Sequence, residues 1–76
     1  MSVVVYSTPS CPYCTMAKDY LKKKAVPFED YDVSRDSVRA EEMIRKSGQM
    51  GVPVIEVNGK ILVGFRPAEM ESALGA

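Results

Sequence analysis

Apolar and polar positions change their spacing several times along the 76 residues, and each change marks a predicted element. Residues 3–6 are largely β-branched and of strand length, which predicts a first strand. Ser10 or Cys11 is placed to cap a helix that begins at Pro12, because the N–H that proline lacks has no partner there. This helix is predicted to run from Pro12 to about Lys24. Its apolar positions Cys14, Ala17, Leu21 and Ala25 follow helical spacing.

The middle of the chain predicts a weaker strand and a second helix. Residues 28–33 alternate only in part between apolar and polar side chains, which indicates a short strand. Ser34 or Asp36 is placed to cap the helix that follows, and Gly48 is placed to end it. Ala40, Met43 and Ile44 are predicted to lie on one face of this helix.

The last third of the chain predicts a hairpin and a short helix. Residues 53–57 and residues 61–63 are apolar runs joined through Asn58-Gly59, a strong hairpin signal. Gly64 ends the hairpin, and Pro67 begins a helix that is predicted to run through Leu74.

The order of elements is therefore β-α-β-α-β-β-α. A helix joins the first two strands, so we expect them to be parallel. One four-stranded mixed sheet with three flanking helices on its two faces accounts for every element. The prediction is an α/β fold in a single domain, residues 1–76.

Composition excludes several classes of function. The chain has ten basic and ten acidic residues and a net charge of zero, which argues against nucleic-acid binding and against a polybasic membrane surface. It has no histidine, so neither a Ser-His-Asp triad nor a histidine-liganded zinc site can form. No targeting segment or membrane span is visible. We expect a cytoplasmic monomer.

The chemistry is concentrated in Cys11-Pro12-Tyr13-Cys14, where a strand turns into a helix. Cys11 is predicted at the helix N-terminus, where unpaired N–H groups and the positive end of the helix dipole favour a thiolate. Cys14 lies one turn further on, about 5–6 Å away between β-carbons, so a disulfide can close with a small adjustment. The pair is predicted to cycle between dithiol and disulfide, with Cys11 as the nucleophile and Cys14 as the resolving thiol.

Two other readings of these cysteines stay open at this point. Both side chains can be core packing, since free cysteine is often buried. They can also form half of a metal or iron–sulfur site that a second chain completes, which makes the protein a dimeric carrier rather than an enzyme. Spacing alone favours the redox pair.

The sequence resembles the glutaredoxins of the thioredoxin superfamily over nearly its whole length. The resemblance rests on Cys11-Pro12-Tyr13-Cys14 after the first strand, on Val52-Pro53 before the hairpin, and on the order of elements. It implies a thioredoxin-like fold. It also implies that Cys11 attacks a disulfide, that Pro12 and Tyr13 lie along the substrate groove, and that Pro53 follows a cis bond. The backbone of Val52 then pairs with the backbone of the substrate.

Part of the chain departs from the usual glutaredoxin pattern. Thr8 stands where many members carry a lysine, and Gly51 stands where many carry a threonine. The segment Gly64-Phe65-Arg66 before Pro67 is similar to the small redoxins that serve ribonucleotide reductase and are reduced by thioredoxin reductase. Gly64, Phe65 and Arg66 are therefore expected at the substrate groove, with Arg66 as a positive charge for a carboxylate.

The predicted function is reduction of protein disulfides or glutathione-mixed disulfides by the Cys11–Cys14 dithiol. No bound cofactor is expected, and glutathione is the expected electron donor. The alternative is a redoxin that takes electrons from thioredoxin reductase and donates them to ribonucleotide reductase. The second alternative is the dimeric metal or iron–sulfur carrier.

Overall fold

A computed structural model of the chain describes residues 2–75. The predicted order of strands and helices is confirmed. In chain order the elements are β1 (Val3–Ser7), α1 (Pro12–Lys23), β2 (Glu29–Asp32), α2 (Ser37–Ser47), β3 (Val54–Val57), β4 (Lys60–Val63) and α3 (Pro67–Ala73).

The strands form one four-stranded mixed sheet in the order β2-β1-β3-β4. β1 and β2 are parallel, as expected for strands joined through a helix. β3 runs antiparallel to both of its neighbours, with Val5 opposite Ile55 and Ile55 opposite Leu62. β1 therefore lies inside the sheet, and its carboxyl end leads directly into the cysteine segment.

The two faces of the sheet carry two cores, because side chains alternate along each strand. Val3 and Val5 face α1 and α3 and pack with Leu21 and Met70. Tyr6 faces α2 on the opposite side of the sheet. The buried residues of this second core are Tyr6, Met43 and Val54.

The ends of α2 and the β3–β4 turn are formed by residues whose local preferences favour these conformations. Asp36 caps α2 by accepting the N–H of Arg39 at 3.1 Å, and Gly48 ends the helix with a left-handed φ of 74°. Asn58 and Gly59 both have positive φ, at 50° and 89°, as a two-residue hairpin turn requires.

Two apolar positions assigned to the helical pattern are not buried. Ala25 is exposed and lies beyond α1, since it takes a left-handed φ of 57° and ends the helix. There the N–H groups of Ala25 and Val26 return to the carbonyls of Lys22 and Leu21, which is a Schellman arrangement. Ile44 keeps 38% of its surface exposed, because α2 turns mainly Met43 toward the sheet.

Candidate active site

Cys11 is the N-cap of α1. Its backbone is extended, and its Sγ accepts the N–H of Cys14 at 3.1 Å. Pro12 occupies the first helical position, where no N–H is needed, and the N–H of Cys11 donates to the carbonyl of Thr8 at 3.3 Å. The sulfur of Cys11 thus lies at the positive end of the helix, where a donated N–H and the dipole stabilise a negative charge.

Cys14 lies one turn further along α1 and is fully buried, whereas Cys11 is partly exposed. Both thiols are free. Burial raises the pKa of the Cys14 thiol far above its ordinary value, and a hydrogen bond with the Cys11 side chain raises it further. The Thr8 backbone and the Lys18 charge oppose this pKa shift in part. The arrangement therefore gives one accessible sulfur and one sulfur held inside as its neutral thiol.

A groove of about 350 Å³ lies beside the cysteine segment. Three parts of the chain meet there: the first turn of α1, the loop before β3, and the end of β4 with the segment after it. Its lining residues are Tyr13, Val52, Pro53, Val63, Gly64, Phe65 and Arg66. Six of the groove positions expected from the sequence are thus brought together. Pro12 is exposed at the start of α1 and is not part of this lining.

The loop before β3 contributes Val52 and Pro53 to the groove lining. The Val52–Pro53 bond is cis, as the resemblance implied. Pro53 is buried, and its carbonyl accepts the N–H of Gly64 at 2.8 Å, which ties this loop to the end of β4. Within residues 2–75, neither the N–H nor the carbonyl of Val52 has a hydrogen-bond partner.

Arg66 is the positive charge in the groove lining. It is 73% exposed in its side chain, and its guanidinium lies 3.2 Å from the carboxylate of Glu69, which is 51% exposed. The pair sits at the start of α3, with Glu69 in the first turn of the helix. Because both partners are hydrated, the Arg66 charge stays accessible to a ligand.

Two residues near the groove have roles that the sequence analysis did not assign. Val63 lines the groove and is 46% exposed. In the sequence it is only the last residue of an apolar strand, a position that does not indicate a binding role. Gln49 binds both backbone groups of Gly51, at 2.7 Å and 2.9 Å. Gln49 and Met50 come just before Val52-Pro53, so the sequence indicates one of them as a residue of the cleft, but it does not indicate the bonds to Gly51.

Neither a metal-binding cluster nor a membrane-spanning helix occurs among the described residues. No cluster of three or more candidate metal-binding side chains forms within the part of the chain that the structure describes. Over residues 2–75, no helix is both long and apolar enough to cross a bilayer.

Comparison with known proteins defines the class of this site. The chain is 46% identical over 72 residues to a glutaredoxin-like 8.6 kDa protein in the rubredoxin operon of Clostridium pasteurianum, covering 95% of this chain and 96% of that one. It is 35% identical over 63 residues to glutaredoxin 3 of Escherichia coli K12, covering 83% and 76% of the two chains. The solved NrdH-redoxin of Escherichia coli superposes with a TM-score of 0.85 at 26% identity, covering 95% and 93%.

The fold and the paired cysteines define a thiol–disulfide oxidoreductase with a thioredoxin-like fold. The glutaredoxin family model matches residues 3–62, which is most of the chain. The protein therefore belongs to the glutaredoxin family.

Proposed function

We propose that this protein reduces disulfides through Cys11 and Cys14 in two exchange steps. The thiolate of Cys11 attacks one sulfur of a substrate disulfide, and the other substrate sulfur leaves as a thiolate that takes up a proton. Cys14 then loses its proton and attacks Cys11 in the mixed disulfide, which releases the second substrate thiol. The protein is left with a Cys11–Cys14 disulfide, having supplied two electrons.

One observation carries this proposal: the sulfur of Cys11 accepts the N–H of Cys14 at the start of α1. A sulfur in that position is stabilised as an anion, which is the form that attacks the substrate disulfide. In the mixed disulfide it is the sulfur that Cys14 attacks, and the substrate sulfur leaves. The burial of Cys14 supports the division of labour, since a buried thiol meets a disulfide only after Cys11 has bound it.

The groove is the proposed binding site for the chain that carries the disulfide. The N–H and carbonyl of Val52, which have no partner among the described residues, can pair with the backbone of an extended peptide, as an added strand does at a sheet edge. Tyr13 and Phe65 provide apolar contact area on either side. Glutathione is itself a short peptide, so the same site serves protein segments and glutathione-mixed disulfides. We place this activity in the cytoplasm, where thiols are kept reduced.

Glutathione is the proposed electron donor, and we expect the rate of glutathione-coupled reduction to be low. Membership of the glutaredoxin family supports it, and Arg66 offers one positive charge to a glutathione carboxylate. The coupling is weak because Glu69 competes for Arg66 and because Thr8 provides no charge where many family members have a lysine.

Thioredoxin reductase is the second candidate donor. The groove segment Gly64-Phe65-Arg66 favours it, and so does the similarity to the Escherichia coli NrdH-redoxin, a glutaredoxin-like protein with a thioredoxin-like activity profile. Ribonucleotide reductase is the acceptor that this second candidate implies.

Paired assays with each donor separate the candidates. One assay couples NADPH oxidation to glutathione and glutathione reductase, with a glutathione-mixed disulfide as substrate. The other couples NADPH oxidation to thioredoxin reductase alone, with a protein disulfide as substrate. We expect turnover in the first that is abolished by Cys11→Ser. Turnover only in the second assay would replace glutathione by thioredoxin reductase as the donor.

A further inference from the structure

One side chain, that of Gln49, bridges the backbone of the loop between α2 and β3. The Oε1 of Gln49 accepts the N–H of Gly51 at 2.7 Å, and its Nε2 donates to the carbonyl of Gly51 at 2.9 Å. A single amide therefore binds both backbone polar groups of the residue that precedes Val52.

The side-chain amide also occupies the space beside Gly51. A β-carbon built on Gly51 would lie 2.8 Å from the Oε1 of Gln49, closer than real β-carbons approach other atoms. Gly51 has no left-handed φ that would require glycine. The missing side chain at Gly51 is therefore matched to the amide of Gln49 and not to a backbone conformation.

The other end of this loop is anchored to α2. The hydroxyl of Ser47 donates to the carbonyl of Met43 at 2.6 Å and lies 3.4 Å from the N–H of Gln49, which it accepts. Bonds thus run without a break from the last turn of α2 through Gln49 to Gly51. The next residue is Val52, which lines the groove and whose backbone N–H and carbonyl have no partners among residues 2–75.

We propose that Gln49 is a positioning residue that holds the Val52 backbone ready to pair with a peptide substrate, an inference that rests on the proposed function above. Glycine is the most flexible residue, so Gly51 without the amide would leave the Val52 peptide free to rotate. Binding a peptide would then have to order this segment, and that cost is removed when the loop is already fixed. Gln49 thereby favours substrates with a peptide backbone over small disulfides without one.

The test compares two disulfides in single-turnover reactions of the pre-reduced protein without free glutathione, which would exchange with the small disulfide and attach a peptide to it. One is a cysteine-containing peptide in mixed disulfide with glutathione, and the other is the symmetrical disulfide of 2-mercaptoethanol, which has no peptide group. We expect Gln49→Ala to lower the second-order rate constant for the peptide by roughly tenfold, through weaker binding, because one or two backbone residues must be ordered on binding. The rate with the small disulfide should stay unchanged.

Gly51→Ala provides the matched variant, since its β-carbon pushes the flexible amide of Gln49 aside and leaves the rest of the loop in place. We expect it to reproduce the loss seen with Gln49→Ala. The double variant should lose no more than either single variant, because both break the same contact.

Three results would overturn the inference while leaving the proposed function intact. The first is full activity of Gln49→Ala on the peptide. The second is an equal loss on both substrates, which would indicate a general structural role. The third is additive losses in the double variant. The proposed function itself fails instead if the unsubstituted protein reduces neither disulfide, or if Cys11→Ser reduces both.

Discussion

The ion pair at the mouth of the groove makes the use of glutathione adjustable by single substitutions. Arg66 is the positive charge in the groove lining, and Glu69 lies against it at 3.2 Å. Replacing Glu69 by Gln should free the guanidinium for a glutathione carboxylate and raise kcat/KM with glutathione substrates. Replacing Arg66 by Ala should lower it.

The exposure of the two side chains limits the size of both effects. Arg66 is 73% and Glu69 51% exposed, so the pair is screened by water and contributes at most about 1 kcal/mol. We therefore expect roughly a threefold gain for Glu69→Gln and roughly a threefold to fivefold loss for Arg66→Ala. Both effects should shrink as salt is raised, because the Debye length falls from about 10 Å at 0.1 M to about 3 Å at 1 M.

The measurement is the glutathione-coupled assay with a glutathione-mixed disulfide, at low and at high salt. Glu71→Gln is the matched control, since it removes the same charge from an exposed position on α3 and has no ion pair among the described residues. Equal gains for Glu69→Gln and Glu71→Gln would refute the reasoning, because the effect would then come from net charge. An unchanged rate for Arg66→Ala would refute it as well.

Three further predictions concern the polar network under α2. Tyr6 is fully buried and its hydroxyl donates a hydrogen bond to Glu42. Tyr6→Phe should therefore lower the free energy of unfolding, measured in urea, by about 1.5–2 kcal/mol. Tyr31→Phe is the control, because it loses only an exposed bond to Glu29 and should leave the free energy of unfolding unchanged. The hydrogen bond from Tyr6, with a smaller contribution from Arg39, holds the pKa of Glu42 below its ordinary value. This stabilisation is lost as pH falls through the pKa of Glu42 in the folded protein, so the loss of unfolding free energy caused by Tyr6→Phe should be smaller in acid. Burial, followed by the Glu42 bond, raises the pKa of Tyr6 from 10.0 to about 12, so unsubstituted protein should lose stability relative to Tyr6→Phe between these values. Equal Tyr6→Phe losses at neutral and acid pH would contradict the assignment of the bond to an ionised Glu42.

The sequence predicted the order of elements because each boundary carries residues with a strong local preference. Pro12 and Pro67 begin helices, and Asn58-Gly59 forms the hairpin turn. Ala25 was misassigned because its small apolar side chain fits the helical period, while its left-handed φ is selected by the turn into Val26. The order of strands in the sheet depends on which edges the helices cover, and no local pattern reports it.

The site was predictable to the extent that chemistry is local. Cys11 and Cys14 are separated by a single helical turn, so helix geometry relates them directly. Val52 and Arg66, which line the groove, were predicted only from the family resemblance. The spacing of residues along the chain does not indicate contacts between distant segments. The bond between Gln49 and Gly51 was not predicted, since a glutamine in a loop has many possible partners.

The division of roles between Cys11 and Cys14 is the central claim, and trapping of the mixed disulfide tests it most directly. Each single serine variant is mixed with a disulfide substrate, and the covalent adduct is identified by mass spectrometry of its peptides without reducing agent. We predict a stable adduct on Cys11 in Cys14→Ser and neither adduct nor turnover in Cys11→Ser. An adduct on Cys14, or turnover by Cys11→Ser, would contradict the account.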